Sequence, residues 1–222
     1  MPAALDLWAV RPVPCSDTTR PMPSRSACHV PYEVVFVCTG NRARSPLAQG
    51  LLRRYADGLD VSASSYGTLP VEGAPALPAA VAAARALGVD LSAHTSRSVR
   101  GADLSRADLV LGFEPAHVSA AVVDGGADIG CTFLLGEVVP LLDVPVTEDD
   151  PCANARFVVS VADTRRVRAR PDPTRAIADP YGLPAREMQR IAETIDRLVR
   201  GIVPGLFGSS VTEPVRPPGR QR

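Results

Sequence analysis

The chain is 222 residues long, 45% hydrophobic and 22% charged, with a formal net charge of zero. That length can bury a core, as one domain with tails or as two small domains, and the balanced charge excludes nucleic acid binding by bulk electrostatics. Its five cysteines are irregularly spaced without a CxxC, and its three histidines lie far apart, which argues against a disulfide scaffold or a metal site.

Residues 1–31 carry Pro2, Pro12, Pro14, Pro21, Pro23 and Pro31 among scattered Ser and Thr. No hydrophobic period survives there, so the segment reads as a disordered N-terminal extension. Asp6 and Arg11 interrupt its apolar residues, which speaks against a signal peptide. No stretch approaches the ~20 apolar residues of a membrane span. A cytoplasmic protein with no membrane and no nucleic acid partner is expected.

The folded domain is expected over 32–208. Residues 33–37 form a short apolar, β-branched run suited to a buried parallel strand. A helix follows over 45–55, with Ser45 as its cap and Pro46 at its first position. Residues 60–65 read as a second strand, 76–87 as a helix stopped by Gly88, 107–113 as a third strand and 115–122 as a helix. A fourth strand at 129–133 and a short helix at 135–142 continue the alternation. The last helix spans 184–203, with Ile191, Ile195, Leu198, Val199 and Ile202 at helical spacing. This alternation predicts a three-layer α/β fold, in which a four-stranded parallel sheet carries helices on both faces. Residues 143–176, with Pro145, Pro151, Pro171 and Pro173, read as a long insertion or surface loop. Residues 209–222 read as a disordered tail.

The chemistry concentrates after the first strand. The loop Cys38-Thr39-Gly40-Asn41-Arg42-Ala43-Arg44-Ser45 joins a buried strand to a helix start. Its amides and the positive end of the helix converge there, which suits a phosphate-binding loop. Gly40 and Asn41 tolerate left-handed backbone angles, and Arg44 can clamp two phosphate oxygens. The same positive field favours the thiolate of Cys38, so that sulfur reads as a nucleophile for phosphoryl transfer. Arginine supplies every basic residue of this chain, so the Cys-to-Arg spacing alone carries little weight; its context does.

The run Val37-Cys38-Thr39-Gly40-Asn41-Arg42-Ala43-Arg44-Ser45-Pro46-Leu47-Ala48 resembles the signature loop of low-molecular-weight protein tyrosine phosphatases. Ser65-Tyr66-Gly67-Thr68, Asp90-Leu91-Ser92-Ala93-His94 and Asp179-Pro180-Tyr181 follow in the family's order. The resemblance covers residues 32–142 and 177–203. It implies a phosphomonoester hydrolase, acting as a protein tyrosine phosphatase through a phosphocysteine on Cys38, with no cofactor and no metal. Asp179 matches the family's general acid and base, whereas the Asp-Pro pairs at Asp150 and Asp172 have no nearby helix and read as loop residues. Ser45 is implied to stabilise the sulfur, while Asn41, Ser65 and His94 match a polar network that shapes the loop. His117 reads as an exposed helix residue. The implied partners are a phosphotyrosine protein or a small phosphomonoester, and a cognate tyrosine kinase.

Several positions depart from that pattern. Ala43 stands where many relatives carry a second cysteine, so Cys38 is expected to oxidise past sulfenic acid more readily. Leu69-Pro70-Val71 replaces the usual aromatic pocket wall, and Tyr181 is followed by Gly182 instead of a second tyrosine. Each lost aromatic pair weakens stacking on a phenyl group by about 0.5–1.5 kcal/mol. Leu69 and Tyr181 are therefore the expected pocket residues, and the direction of Tyr66 stays open. Two other functions compete. Arsenate reduction with an external small thiol would need only Cys38. A phosphate-binding module without catalysis would need neither Cys38 nor Asp179.

Overall fold

The first apolar run becomes the centre of the sheet. In the computed structural model, β1 (Tyr32–Cys38) pairs in parallel with β2 (Val61–Gly67) on one side and with β3 (Leu109–Gly112) on the other. β4 (Thr132–Leu134) extends the sheet beyond β3, giving the order β2-β1-β3-β4. The structure describes residues 30–145, 150–168 and 173–208. The expected extension and tail fall outside these residues, save for Val30 and Pro31.

β1 alternates faces. Val34, Phe36 and Cys38 turn into the larger core beside Leu47, Leu51 and Leu52 of α1 (Arg44–Tyr55). Val35 and Val37 turn into a smaller core with Val110 of β3 and Ala121 of α3 (Pro115–Val123). Burial on both faces explains why the strand is continuously apolar instead of alternating with polar residues. The connection from β1 runs outward to β2 and that from the adjacent β3 runs outward to β4, so the two diverge at the β1–β3 pair. The C-terminal end of β1 is therefore the switch point where open α/β sheets bind ligands. The four-stranded parallel sheet with helices on both faces is present as expected.

Residues 129–131, read as the start of the fourth strand, form a 3-10 turn ahead of β4, and three further elements differ from the sequence reading. First, α1 begins at Arg44 behind an Ala43 cap that makes no side-chain bond, so Ser45 lies inside the first turn. Its hydroxyl is occupied elsewhere. Second, the stretch read as an insertion contains α5 (Pro151–Arg168). Its prolines flank the helix without interrupting it, and Pro151 takes its first position. Cys152, Ala155, Val158, Val159 and Ala162 are buried, a stripe of mostly small residues that a search for large apolar side chains overlooks. Asp150, read as a loop residue with no helix nearby, instead accepts a bond from the Cys152 amide at 3.1 Å at the start of α5. Asp172 lies outside the described residues. Third, α6 (Ala185–Phe207) runs past Pro204. Leu206 and Phe207 are buried beyond it, and their burial, worth about 1.5–3 kcal/mol each, offsets a proline in the last turn. Asn154 ties the two helices by donating to the Leu206 carbonyl at 2.9 Å. α2 (Pro78–Ala86) and the single-turn α4 (Leu135–Val138) also pack against α6.

Candidate active site

Residues 39–43 wrap over the C-terminal end of β1 before α1 begins. Asn41 holds the loop's one left-handed turn, at φ 51°; Gly40 does not need its freedom there. The buried Asn41 side chain then fixes the loop from both ends. Its Nδ2 donates to Ser45 Oγ and to Ser65 Oγ, each at 2.9 Å, and its Oδ1 accepts from the Arg97 amide at 2.9 Å. Ser65 passes its own proton to Gln49 Oε1 at 2.6 Å. His94 Nε2 meets the Asn41 carbonyl at 2.7 Å, and burial holds its basicity below the usual histidine range. The backbone of β2 comes so close that a Cβ at Gly67 would lie 2.8 Å from the Thr39 carbonyl oxygen.

Ser45 Oγ stands 3.0 Å from Cys38 Sγ, and 3.3 Å from the Tyr66 carbonyl. Because it already accepts from Asn41, its proton is available to the sulfur, the closer of the two acceptors. Cys38 is 2% exposed at the base of the loop.

Arg44 is the largest fully buried side chain, and four donor contacts balance its burial. Nη1 bonds Glu114 Oε1 and the Ile177 carbonyl, the latter at 2.8 Å. Nη2 bonds Thr39 Oγ1 at 3.1 Å and Asp179 Oδ2 at 2.6 Å. The guanidinium thus sits between two carboxylates, one from the end of β3 and one from the segment before α6. Glu114 went unrecognised in the sequence. Its one signal is position, an acidic residue just past the third strand at the sheet edge where ligands bind.

His117 corrects a second expectation. It is 2% exposed and faces the site from α3. Its Nδ1 accepts the Glu114 amide at 3.0 Å, and its Nε2 lies 3.0 Å from Thr39 Oγ1. Burial, reinforced by the charge of Arg44, lowers its pKa from the ordinary 6.5 to about 4. The residue is therefore neutral at physiological pH.

Cys38, Thr39, Arg44 and Asp179 border a cavity of about 260 Å³ together with Arg42 and Ala43 of the loop. Leu69, Val71, Leu77 and Tyr181 supply its apolar lining. Leu69 and Tyr181 are 72% and 73% exposed, so they form an open rim. Arg42 is anchored, since its Nε donates to the Pro75 carbonyl at 2.7 Å. Tyr66 does not line the cavity; it packs on the smaller core with the Arg97 guanidinium 4.6 Å from its ring centre. Asn41, Ser65 and His94 stay outside the lining and act on the loop, and Ser45, also outside it, reaches the Cys38 sulfur.

The other described thiols, Cys131 and Cys152, are poorly suited to react. Burial pushes Cys131 up to about 11 and raises Cys152 as well. Among the described residues no group of three His, Cys, Asp or Glu side chains could hold a metal ion.

Comparison with known proteins gives consistent matches. The family model for low molecular weight phosphotyrosine protein phosphatase matches residues 33–151. Probable low molecular weight protein-tyrosine-phosphatase EpsP of Ralstonia nicotianae is 38% identical over 105 residues, 47% of this chain and 71% of that protein. The crystal structure of a low molecular weight protein tyrosine phosphatase from T. tengcongensis superposes with a TM-score of 0.58 at 29% identity, over 77% of this chain and 97% of that one. YwlE arginine phosphatase from Geobacillus stearothermophilus shares the fold, with a TM-score of 0.56 at 24% identity over 78% of this chain and 91% of its own. Asp179 lies beyond the residues that the family model matches, so its place in the site rests on its contact with Arg44.

Proposed function

The chain belongs to the low molecular weight phosphotyrosine protein phosphatase family, and on that premise we propose that it hydrolyses phosphomonoesters, aryl phosphates first among them, through a phosphocysteine on Cys38. The observation that carries this reading is the convergence of the Cys38 sulfur, the buried Arg44 guanidinium and the Asp179 carboxylate on one cavity.

The steps follow from the contacts. Arg44 and the amides of residues 39–44 hold the phosphoryl oxygens, and the arriving anion takes the Nη2 donor that Asp179 uses. Displaced from Arg44, a protonated Asp179 gives its proton to the leaving oxygen while the Cys38 thiolate attacks phosphorus and the P–O ester bond breaks. Water then attacks the phosphocysteine, Asp179 takes its proton, and the S–P bond breaks to return the thiolate. Ser45 donates to the sulfur in both steps, favouring it as attacking group and as leaving group. A reducing cytoplasm suits a mechanism that depends on a free thiolate.

Substrate choice follows from the rim. Leu69, Val71, Leu77 and Tyr181 offer an apolar surface to a flat phenyl group, and the anchored Arg42 places a positive charge beside it. A phosphoguanidinium group would meet that charge, so aryl phosphate is favoured over phosphoarginine. Arsenate reduction with an external thiol needs no acid for a leaving group, so the Asp179 carboxylate on Arg44 at the cavity favours the phosphatase reading.

Steady-state hydrolysis of an aryl phosphate, combined with acid-quench trapping of the phosphoenzyme, tests the reading. Cys38→Ser should abolish turnover and trapping while phosphate binding persists. Asp179→Ala should lose rate chiefly on poor leaving groups. Turnover retained in Cys38→Ser would overturn the mechanism.

A further inference from the structure

The polar contacts of Thr39 fix the direction of a proton that the mechanism above leaves unused. His117 Nδ1 accepts the Glu114 backbone N–H at 3.0 Å, so in the neutral ring the proton sits on Nε2. That Nε2–H lies 3.0 Å from Thr39 Oγ1, and the Nη2 of Arg44, always a donor, lies 3.1 Å from the same oxygen. Both lone pairs of the hydroxyl are thereby filled by donors from two different elements. Its own proton takes the remaining tetrahedral direction, and among the described residues no side chain or carbonyl accepts it. Thr39 borders the cavity with Cys38, Arg44 and Asp179.

We infer that Thr39 donates its hydroxyl proton to an oxygen of the bound phosphoryl group, and that His117 is the positioning residue that directs it. The inference rests on the proposed reading only for the identity of the anion. Arg44 alone would leave one lone pair open, and the hydroxyl could then rotate to accept from the loop. With His117 in place, the acceptor role is saturated and only donation remains. His117 is suited to this because its buried ring is neutral: an imidazolium could no longer accept the Glu114 amide, and the ring would lose its anchor. Two residues in contact across 78 positions of sequence thus add a neutral side-chain donor beside the charged guanidinium of Arg44.

The test measures binding of inorganic phosphate by isothermal titration calorimetry, and kcat and KM for an aryl phosphate, in Thr39→Val, Thr39→Ser, His117→Ala and His117→Gln. Thr39→Val keeps the shape and should weaken phosphate binding about tenfold or more, as expected for one hydrogen bond to a charged group. Thr39→Ser should stay close to wild type. His117→Ala should reproduce most of the loss, and the Thr39→Val/His117→Ala double variant should lose little more, because both act on one hydrogen bond. His117→Gln, which retains an N–H donor, should recover part of the affinity in protein with an unchanged melting temperature. Wild-type phosphate affinity in Thr39→Val overturns the inference, and so do losses that multiply in the double variant. If these affinities follow the expected order while wild type hydrolyses no aryl phosphate, the proposed reaction fails and the donor assignment stands. Wild type that binds no phosphate overturns both.

Discussion

Arg44 Nη2 donates to Asp179 Oδ2 at 2.6 Å, joining the first residue of α1 to the segment before α6 across 135 positions of sequence. On the proposed mechanism a phosphoryl anion must share or take that donor, so Asp179 would compete with the ligand as well as serve it. Asp179→Ala should therefore bind inorganic phosphate about three- to tenfold more tightly, since a like charge near the anion is removed, while kcat on poor leaving groups falls. Competitive inhibition by phosphate measures the first effect. Phosphate affinity equal to wild type would show that the carboxylate and the anion occupy independent positions.

Glu114 balances Arg44 from the opposite side. Arg44 is 1% exposed, whereas Glu114 is 37% exposed, so the pair is buried on one side only. Removing the carboxylate leaves a buried guanidinium with Asp179 as its remaining carboxylate partner. Glu114→Ala should cost roughly 1–3 kcal/mol of stability, below the value for a fully buried pair. It should also lower kcat/KM about tenfold as the guanidinium loses its fixed orientation. Urea denaturation and steady-state kinetics read the two effects. Full stability in Glu114→Ala would mean that the Ile177 carbonyl and Asp179 already satisfy the arginine.

Much of this architecture was legible. The unbroken apolar run at β1, the Ser-Pro pair at the start of α1 and the Gly88 stop each mark an element by local chemistry, and the Asp-Pro-Tyr context singles out Asp179, whose carboxylate meets Arg44. The misses share a physical cause. α5 buries mostly small residues, so its helical stripe carries little hydrophobic signal. Glu114 and His117 act through contacts with residues 70 and 78 positions away, and nothing local distinguishes them from an ordinary helix cap. Ser45 was expected to cap α1 by its type, but tertiary contacts with Cys38 and Asn41 claim its hydroxyl. Local pattern reveals elements; it does not reveal which polar group a distant strand end will supply.

Gly67 tests how tightly the loop is held from outside. It pairs with Cys38 in the sheet, and a Cβ there would approach the Thr39 carbonyl at 2.8 Å and the Asn41 amide at 3.1 Å. Both are backbone atoms that cannot step aside cheaply. Gly67→Ala should keep the fold, because the strand conformation accepts alanine, but push the loop away from its geometry. A fall in kcat of about 10²-fold is expected for a shift of this size, with far-ultraviolet circular dichroism unchanged. Wild-type kcat would show that the loop relaxes without loss.

Arg42 should act on substrate context instead of chemistry. Its guanidinium is tied to the Pro75 carbonyl at 2.7 Å on the cavity border. Phosphopeptides with acidic residues beside the phosphotyrosine should therefore gain in kcat/KM over neutral ones, and the gain should shrink as salt screens it. Arg42→Gln should remove most of that preference and leave a small aryl phosphate without flanking charges nearly unaffected. A preference that survives Arg42→Gln would assign it to another part of the rim.

His117 should leave a mark on stability as a function of pH. Burial holds its folded-state pKa at about 4, against an ordinary 6.5, so between those values the unfolded chain binds a proton that the folded chain refuses. Unfolding then takes up protons, and stability must fall as pH drops from 6.5 towards 4, with the full contribution present above 6.5. His94, also lowered by burial, adds to the same slope. His117→Gln cannot titrate, so its stability should decline less steeply across this window while the part due to His94 remains. Melting temperatures of wild type and His117→Gln at intervals from pH 7 to 4 make the comparison. Parallel curves would mean that His117 is protonated in the folded protein, which would break its bond from the Glu114 amide and with it the fixed direction of Thr39.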